Sequence, residues 1–137
     1  MTHSNCRFSK LLQLPHLEEI EPYFIELSHS ILSHLEETKL YLQPDFSLDQ
    51  LAKSMSTPKH HLYYCFNSVL YKKFTKVRSE FRIDYAKKLI EKGLSDSLTL
   101  DAIGNQSGFS SRSSFYNTFK DEVGCSPGEY LKEEEGR

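Results

Sequence analysis

The chain has 137 residues, 38% of them hydrophobic and including nine Phe and eight Tyr, enough to bury the core of one domain or of two small lobes. The net charge of −2 is unevenly spread: residues 1–45 carry three Lys/Arg against seven Asp/Glu, whereas residues 53–120 carry twelve against five. No apolar run approaches the roughly 18 residues of a membrane helix, the opening MTHSNCRFSK lacks the pattern of a secretory signal, and Cys6, Cys65 and Cys125 are odd in number and form no CxxC, so a spanning protein, a disulfide scaffold and a zinc knuckle are excluded and the expected compartment is the cytoplasm.

Residues 1–23 show no period and contain Pro15 and Pro22, which predicts a loose leader. From Phe24 the apolar positions Phe24, Leu27, Ile31 and Leu35 recur at spacings of three and four, one face of a helix predicted over 24–43, to about Leu42, with Pro44 as its stop. Its outward use would be a dimer contact through residues 24–42. Ser47 with Gln50 forms a capping-box pattern that starts a short helix near Leu48. Thr57 and Pro58 are placed to cap and open a second helix, with Leu62 and Phe66 on its inward face. A longer helix follows over 72–92, its stripe Phe74, Val77, Phe81, Tyr85 and Leu89 ending at Gly93. TLDAIGNQSG predicts another short helix, SSRSSFYNTFKDEV a longer one, and Gly124 and Pro127 punctuate a last turn through Tyr130, before an acidic tail at 133–137. No useful strand-like alternation is present, so the predicted class is all-α with about seven helices.

SLDQLA (47–52) and TLDAIG (99–104) are the same pattern 52 residues apart, and Leu62 and Phe66 return as Phe115 and Phe119 at an offset of 53. The unit is therefore present twice, with one extra residue in the second turn. Each copy is a short helix, a turn and a second helix, the helix-turn-helix pattern, predicted over 47–70 and 99–123. Gly104 costs about 1 kcal/mol against Ala inside a helix, which points to a close approach there; Gly108 supplies the turn. In this motif the second helix enters the DNA major groove. Arg112, Ser113, Tyr116 and Asn117 lie off the face anchored by Phe115 and Phe119. Arg112 suits guanine and Asn117 adenine, while Ser110 and Ser111 at the helix start suit a phosphate. About 20 residues of linking helix span roughly 30 Å, near the roughly 34 Å between successive major-groove faces.

Three stretches resemble the DNA-binding domain of the AraC/XylS family of bacterial transcription regulators: FRIDYAKKLI (81–90), GFSSRSSFYNTFK (108–120) and GCSPGEY (124–130). The resemblance covers about residues 40–132, and the DNA-binding domain itself is bounded here at 44–132. It implies two helix-turn-helix subdomains joined by a long helix, binding to double-stranded promoter DNA, transcription activation and RNA polymerase as a further partner. By position it assigns base contacts to His60, Tyr63 and Tyr64 in the first reading helix and to Arg112, Ser113 and Asn117 in the second. It assigns phosphate contacts to Lys59, Lys72, Lys73, Ser111 and Lys120. Tyr71 stands where the family usually has Gly, Asn117 where Arg is common, and the first reading helix has no Arg. YLQPDFSL and FNSVLYKKF resemble the subgroup whose domain ends a larger membrane-linked sensor, which implies an upstream sensor region.

The competing readings are weaker. His60, His61 and Cys65 could sketch a metal site, but there is no second cysteine pair and no HExxH. No catalytic triad spacing and no phosphate-cradling glycine loop is present, so neither an enzyme nor a cofactor is expected. The serious rival is a helical protein-interaction module of the same fold that has lost specific DNA binding and docks a partner on the 24–42 stripe.

Overall fold

The computed structural model describes residues 15–93 and 97–136. The first 14 residues of the predicted leader, the segment 94–96 and Arg137 lie outside the described residues. Among those described there are seven α-helices and no strand: α1 Pro22–Thr38, α2 Leu48–Met55, α3 Lys59–Tyr64, α4 Phe74–Glu91, α5 Leu100–Gln106, α6 Arg112–Val123 and α7 Pro127–Glu135. Short 3-10 turns occupy Pro15–Glu19 and Leu40–Leu42, and a π-helical segment, Cys65–Val69, continues α3. The chain divides into two compact units, Met1–Leu40 with Phe46–Lys76 and Tyr41–Asp45 with Val77–Arg137. Helix α4 begins in the first unit and continues into the second.

In the first unit the apolar stripe of α1 is turned inward: Ile31 and Leu35 are fully buried and Leu27 nearly so. They join Phe46, Leu51, Leu62, Phe66, Val69 and Leu70. The stripe is thus part of its own unit's core and is not available as the expected dimer face; the exposed side of α1 carries His29, Ser30, Ser33 and Glu37. The helix also ends earlier than predicted. Lys39 adopts a left-handed conformation, φ 53°, and its N–H donates to Leu35 O. The segment that follows belongs to the second unit, where Tyr41 is buried with its ring centroid 5.2 Å from that of Phe81. The described part of the leader is not loose either. Leu17 is buried, and His16 Nε2–H donates to Val69 O at 3.0 Å.

The repeat is present in the backbone. Ser47 caps α2 with the reciprocal Gln50 bond, and Thr99 caps α5. After each short helix one residue turns left-handed, Ser56 at φ 50° and Gly108 at φ 100°. The next N–H closes the turn in the same way, Thr57 to Ala52 O at 3.0 Å and Phe109 to Gly104 O at 3.1 Å. Since Thr57 belongs to that turn, it does not cap the next helix; its hydroxyl donates to Met55 O, and α3 starts at Lys59 with Pro58 at the cap position. In the second copy Ser111 fills that place and accepts from Ser114 N–H. A left-handed residue also follows each second helix, Tyr71 at φ 53° and Gly124 at φ 95°. A tyrosine in that conformation carries strain of about 1–2 kcal/mol, and a neighbour holds it there: the His16 ring stacks on Tyr71 with centroids 4.0 Å apart.

The second unit is built on Ile83, Ala86, Leu89, Ile90, Ile103, Phe109, Phe115 and Phe119. Gly104 is the close approach expected of it: a Cβ there would stand 2.6 Å from Cδ2 of Phe115. Gly108 is confined twice, by its positive φ and by Arg82 Nε and Tyr41 O, each 2.7 Å from where a Cβ would be. Arg82 is buried and straps the crossing segment, donating from Nε to Tyr41 O at 2.6 Å and from Nη2 to Gln43 O at 2.8 Å. Burial, with Arg78 nearby, pulls its pKa down to about 10, so it remains charged at neutral pH. Ser126 and Glu129 form a capping box on α7, and Tyr130 donates its hydroxyl to Glu91. The predicted acidic tail is the last turn of α7 as far as Glu135.

Candidate nucleic-acid interface

In the first unit α2 and α3 form the two arms of the motif. Leu62 and Phe66 anchor the second arm inward, which leaves Lys59, His60, Tyr63 and Tyr64 on its outer side. Lys59 Nζ is 3.0 Å from Asp49 Oδ1. His60 is exposed, with its ring edge-on to His61 at 4.5 Å. His61 is held by Tyr23, whose hydroxyl lies 2.8 Å from Nδ1. Tyr63 is 62% exposed, the largest accessible aromatic surface on this helix. It lines a shallow pocket with Leu48, Phe66, Asn67, Phe74, Thr75 and Lys73. The structure therefore brings one predicted base contact and one predicted phosphate contact, Tyr63 and Lys73, to the same depression. Tyr64 is less free than expected, because its ring leans on Phe24 at a centroid distance of 4.4 Å. Lys72 is half-buried.

In the second unit Phe115 and Phe119 anchor α6 in the same way. Arg112, Ser113 and Asn117 are all exposed. Ser113, Asn117 and Lys120 follow one another at helical spacing on one face, and Lys120 is exposed at the far end of the helix. Arg112 is held from two sides. Its Nη1 is 3.5 Å from Asp101 Oδ2, and its guanidinium lies 4.8 Å from the centroid of Tyr116. Ser111 is exposed, and its oxygen accepts from Ser114 N–H, leaving the O–H itself as a donor. Asp101, Gly104, Asn105, Ser110, Ser111, Arg112 and Phe115 line one shallow depression.

Sequence reasoning missed the two carboxylates, Asp49 and Asp101, although the signal was in the repeat: both stand second in their helix, 52 residues apart. It missed Tyr23 and Phe24 as supports for His61 and Tyr64, because nothing local marks a contact across 38 or more residues. The residues that could have sketched a metal site have other engagements. His61 is bonded to Tyr23, and the buried Cys65 thiol, its pKa pushed up by burial, points at Phe24 O. Among the described residues no group of three or more His, Cys, Asp or Glu could hold a metal ion.

Comparison with known proteins agrees with this geometry. The family described as "Helix-turn-helix domain" matches residues 51–133. A protein of unknown function from Listeria innocua is similar at 25% identity and a TM-score of 0.64, over 76% of this chain and 93% of that one. The C-terminal domain of AraT, a response regulator from Geobacillus stearothermophilus, is similar at 22% identity and a TM-score of 0.62, over 83% and 87%. The C-terminal domain of the two-component response regulator yesN from Fusobacterium nucleatum is similar at 24% and 0.63, over 77% and 98%. A search of curated proteins finds no match. Two copies of one helix-turn-helix unit, the three sequence stretches that carry the resemblance and a family match over more than half the length lead to one conclusion: the chain belongs to the AraC-type helix-turn-helix family, whose general function is DNA-binding transcription regulation.

Proposed function

We propose that the chain is a sequence-specific regulator that reads two adjacent major-groove segments of promoter DNA. The observation that carries this reading is the duplicated geometry: two turns closed by the same hydrogen bond, each followed by a helix with two buried anchors and an exposed polar outer side. In it His60, Tyr63 and Tyr64 face bases from the first motif, and Arg112, Ser113 and Asn117 from the second. Arg112 pairs with guanine O6 and N7, Asn117 with adenine, and the tyrosines contact thymine methyls. Lys59, Lys72, Lys73, Ser111 and Lys120 contact phosphates and set the register.

The protein-docking rival has lost its best feature, since the stripe it would use is inside the first unit. Among the described residues no helix is long and apolar enough to cross a membrane. The proposed setting is the bacterial cytoplasm, with promoter DNA and RNA polymerase as partners, activation as the outcome, and a signal-receiving region upstream, as two of the similar structures are C-terminal domains of response regulators. The test is selection of bound sequences from a random duplex pool. Enrichment of a two-part motif is expected; a bound fraction without any enriched motif would overturn sequence-specific reading.

A further inference from the structure

We propose that Asp101 is a specificity-determining positioning residue: it holds the Arg112 guanidinium in the plane in which one base pair is read. The inference rests on the DNA-reading function proposed above and adds to it a residue that does not itself contact a base. Two restraints act on Arg112. The Tyr116 ring lies under the guanidinium at 4.8 Å, and Asp101 Oδ2 lies 3.5 Å from Nη1. Arginine presents its N–H groups in a rigid planar fork, and guanine is read by two coplanar bonds to O6 and N7. With Nη1 held by the carboxylate, the Nε–Nη2 edge remains for that pair. Without the carboxylate, a long side chain at the start of an exposed helix also reaches phosphates and neighbouring bases.

The first unit carries the same device. Lys59 is the first residue of α3, and its Nζ is 3.0 Å from Asp49 Oδ1. Asp49 and Asp101 are 52 residues apart and Lys59 and Arg112 are 53 apart, the two offsets of the repeat itself. An exposed ion pair adds little to stability, and both partners of each pair are at least half exposed. The simplest structural role for these carboxylates is a favourable charge in the first turn of a short helix. That role acts on folding and affects binding to every duplex alike, whereas a positioning role acts on one base pair.

The experiment measures Asp101→Asn, Asp101→Glu and Arg112→Ala beside the wild-type chain, on the selected duplex and on its single-base variants. Arg112→Ala locates the base pair. There the wild-type chain should discriminate about tenfold or more. Asp101→Asn should reduce that ratio to about threefold or less, leave the other positions unchanged, and bind an unrelated duplex as well as wild type or better, since a negative charge near phosphates has been removed. Asp101→Glu should recover part of the ratio. Unchanged discrimination in Asp101→Asn, an equal loss at every position, or an Arg112→Ala variant with wild-type preferences would each overturn the proposal while leaving sequence-specific binding intact. A wild-type chain with no preference among duplexes would overturn both.

Discussion

Replacing Gly104 by alanine puts helix preference and packing in opposition, and the structure decides which wins. Alanine is favoured over glycine inside a helix by about 1 kcal/mol, and Gly104 is inside α5. The added Cβ would lie 2.6 Å and 2.7 Å from Cδ2 and Cγ of Phe115, about 1 Å inside the usual carbon contact of roughly 3.5–4.0 Å. Phe115 cannot swing away cheaply. It is buried, with Phe109, Tyr116 and Phe119 ring centroids 5.4–5.8 Å from its own. Overpacking a core costs about 1–3 kcal/mol, and a backbone-anchored overlap at a wedged ring belongs at the upper end. Gly104→Ala should therefore destabilise by about 1–2 kcal/mol net of the helix gain. The equivalent position in the first unit is Ala52, where Ala52→Gly should also destabilise, by about 1 kcal/mol, through propensity. Opposite substitutions at matched positions then have the same sign. Urea unfolding followed by circular dichroism measures both. Phe115→Leu in the Gly104→Ala background should cost less than the sum of the two single changes. A higher urea midpoint for Gly104→Ala, or strict additivity with Phe115→Leu, would refute the close-approach reasoning.

Arg82→Ala should destabilise by about 2–4 kcal/mol, because it removes two charge-assisted bonds and strands the carbonyls of Tyr41 and Gln43; urea unfolding checks this, and a loss below about 0.5 kcal/mol would contradict the strap. Arg112→Ala should weaken specific binding by about 1–3 kcal/mol and relax the preference at one base position, read from competition binding with single-base variants; wild-type affinity for every variant would remove Arg112 from the reading surface. Cys65 should resist alkylation at neutral pH, since burial raises its thiol pKa and keeps it protonated; peptide mapping that finds it modified as fast in the native chain as in urea would contradict its burial.

What was legible in advance was whatever repeats within one or two turns of helix. The anchors Leu62, Phe66, Phe115 and Phe119 declared themselves by spacing, and all four are buried. The capping box at Ser47 and Gln50 and the positive φ at Gly93 followed from local chemistry. What was not legible depends on partners far along the chain. The early end of α1 at Thr38 comes with a left-handed Lys39 that no glycine announces, and the bond from Arg82 to Tyr41 O spans 41 residues. The periodicity of α4 marks one face, but Glu80, Arg82, Ile83, Ala86 and Ile90 are buried as well: Ile83, Ala86 and Ile90 belong to the second unit's core, and Arg82 reaches the carbonyls of Tyr41 and Gln43, far along the chain. Tyr71 stands in place of the glycine usual there, and the stacking of His16 on its ring is a contact across 55 positions that no periodicity encodes. The π-helical segment Cys65–Val69 likewise has no local signature. At the interface, residue types on the outer helix faces were readable, and the carboxylates that hold two of them were visible only as a repeated letter.

The most direct measurement is the affinity for the selected duplex and for a scrambled duplex of equal length, taken across a series of salt concentrations. With Lys59, Lys72, Lys73 and Lys120 on phosphates, log K should fall against log salt with a slope of about −4, at roughly −0.9 per neutralised phosphate. The slope should be similar on both duplexes, and the selected site should remain tighter by about a thousandfold or more. A flat salt dependence, or equal affinity for the two duplexes, would contradict the account.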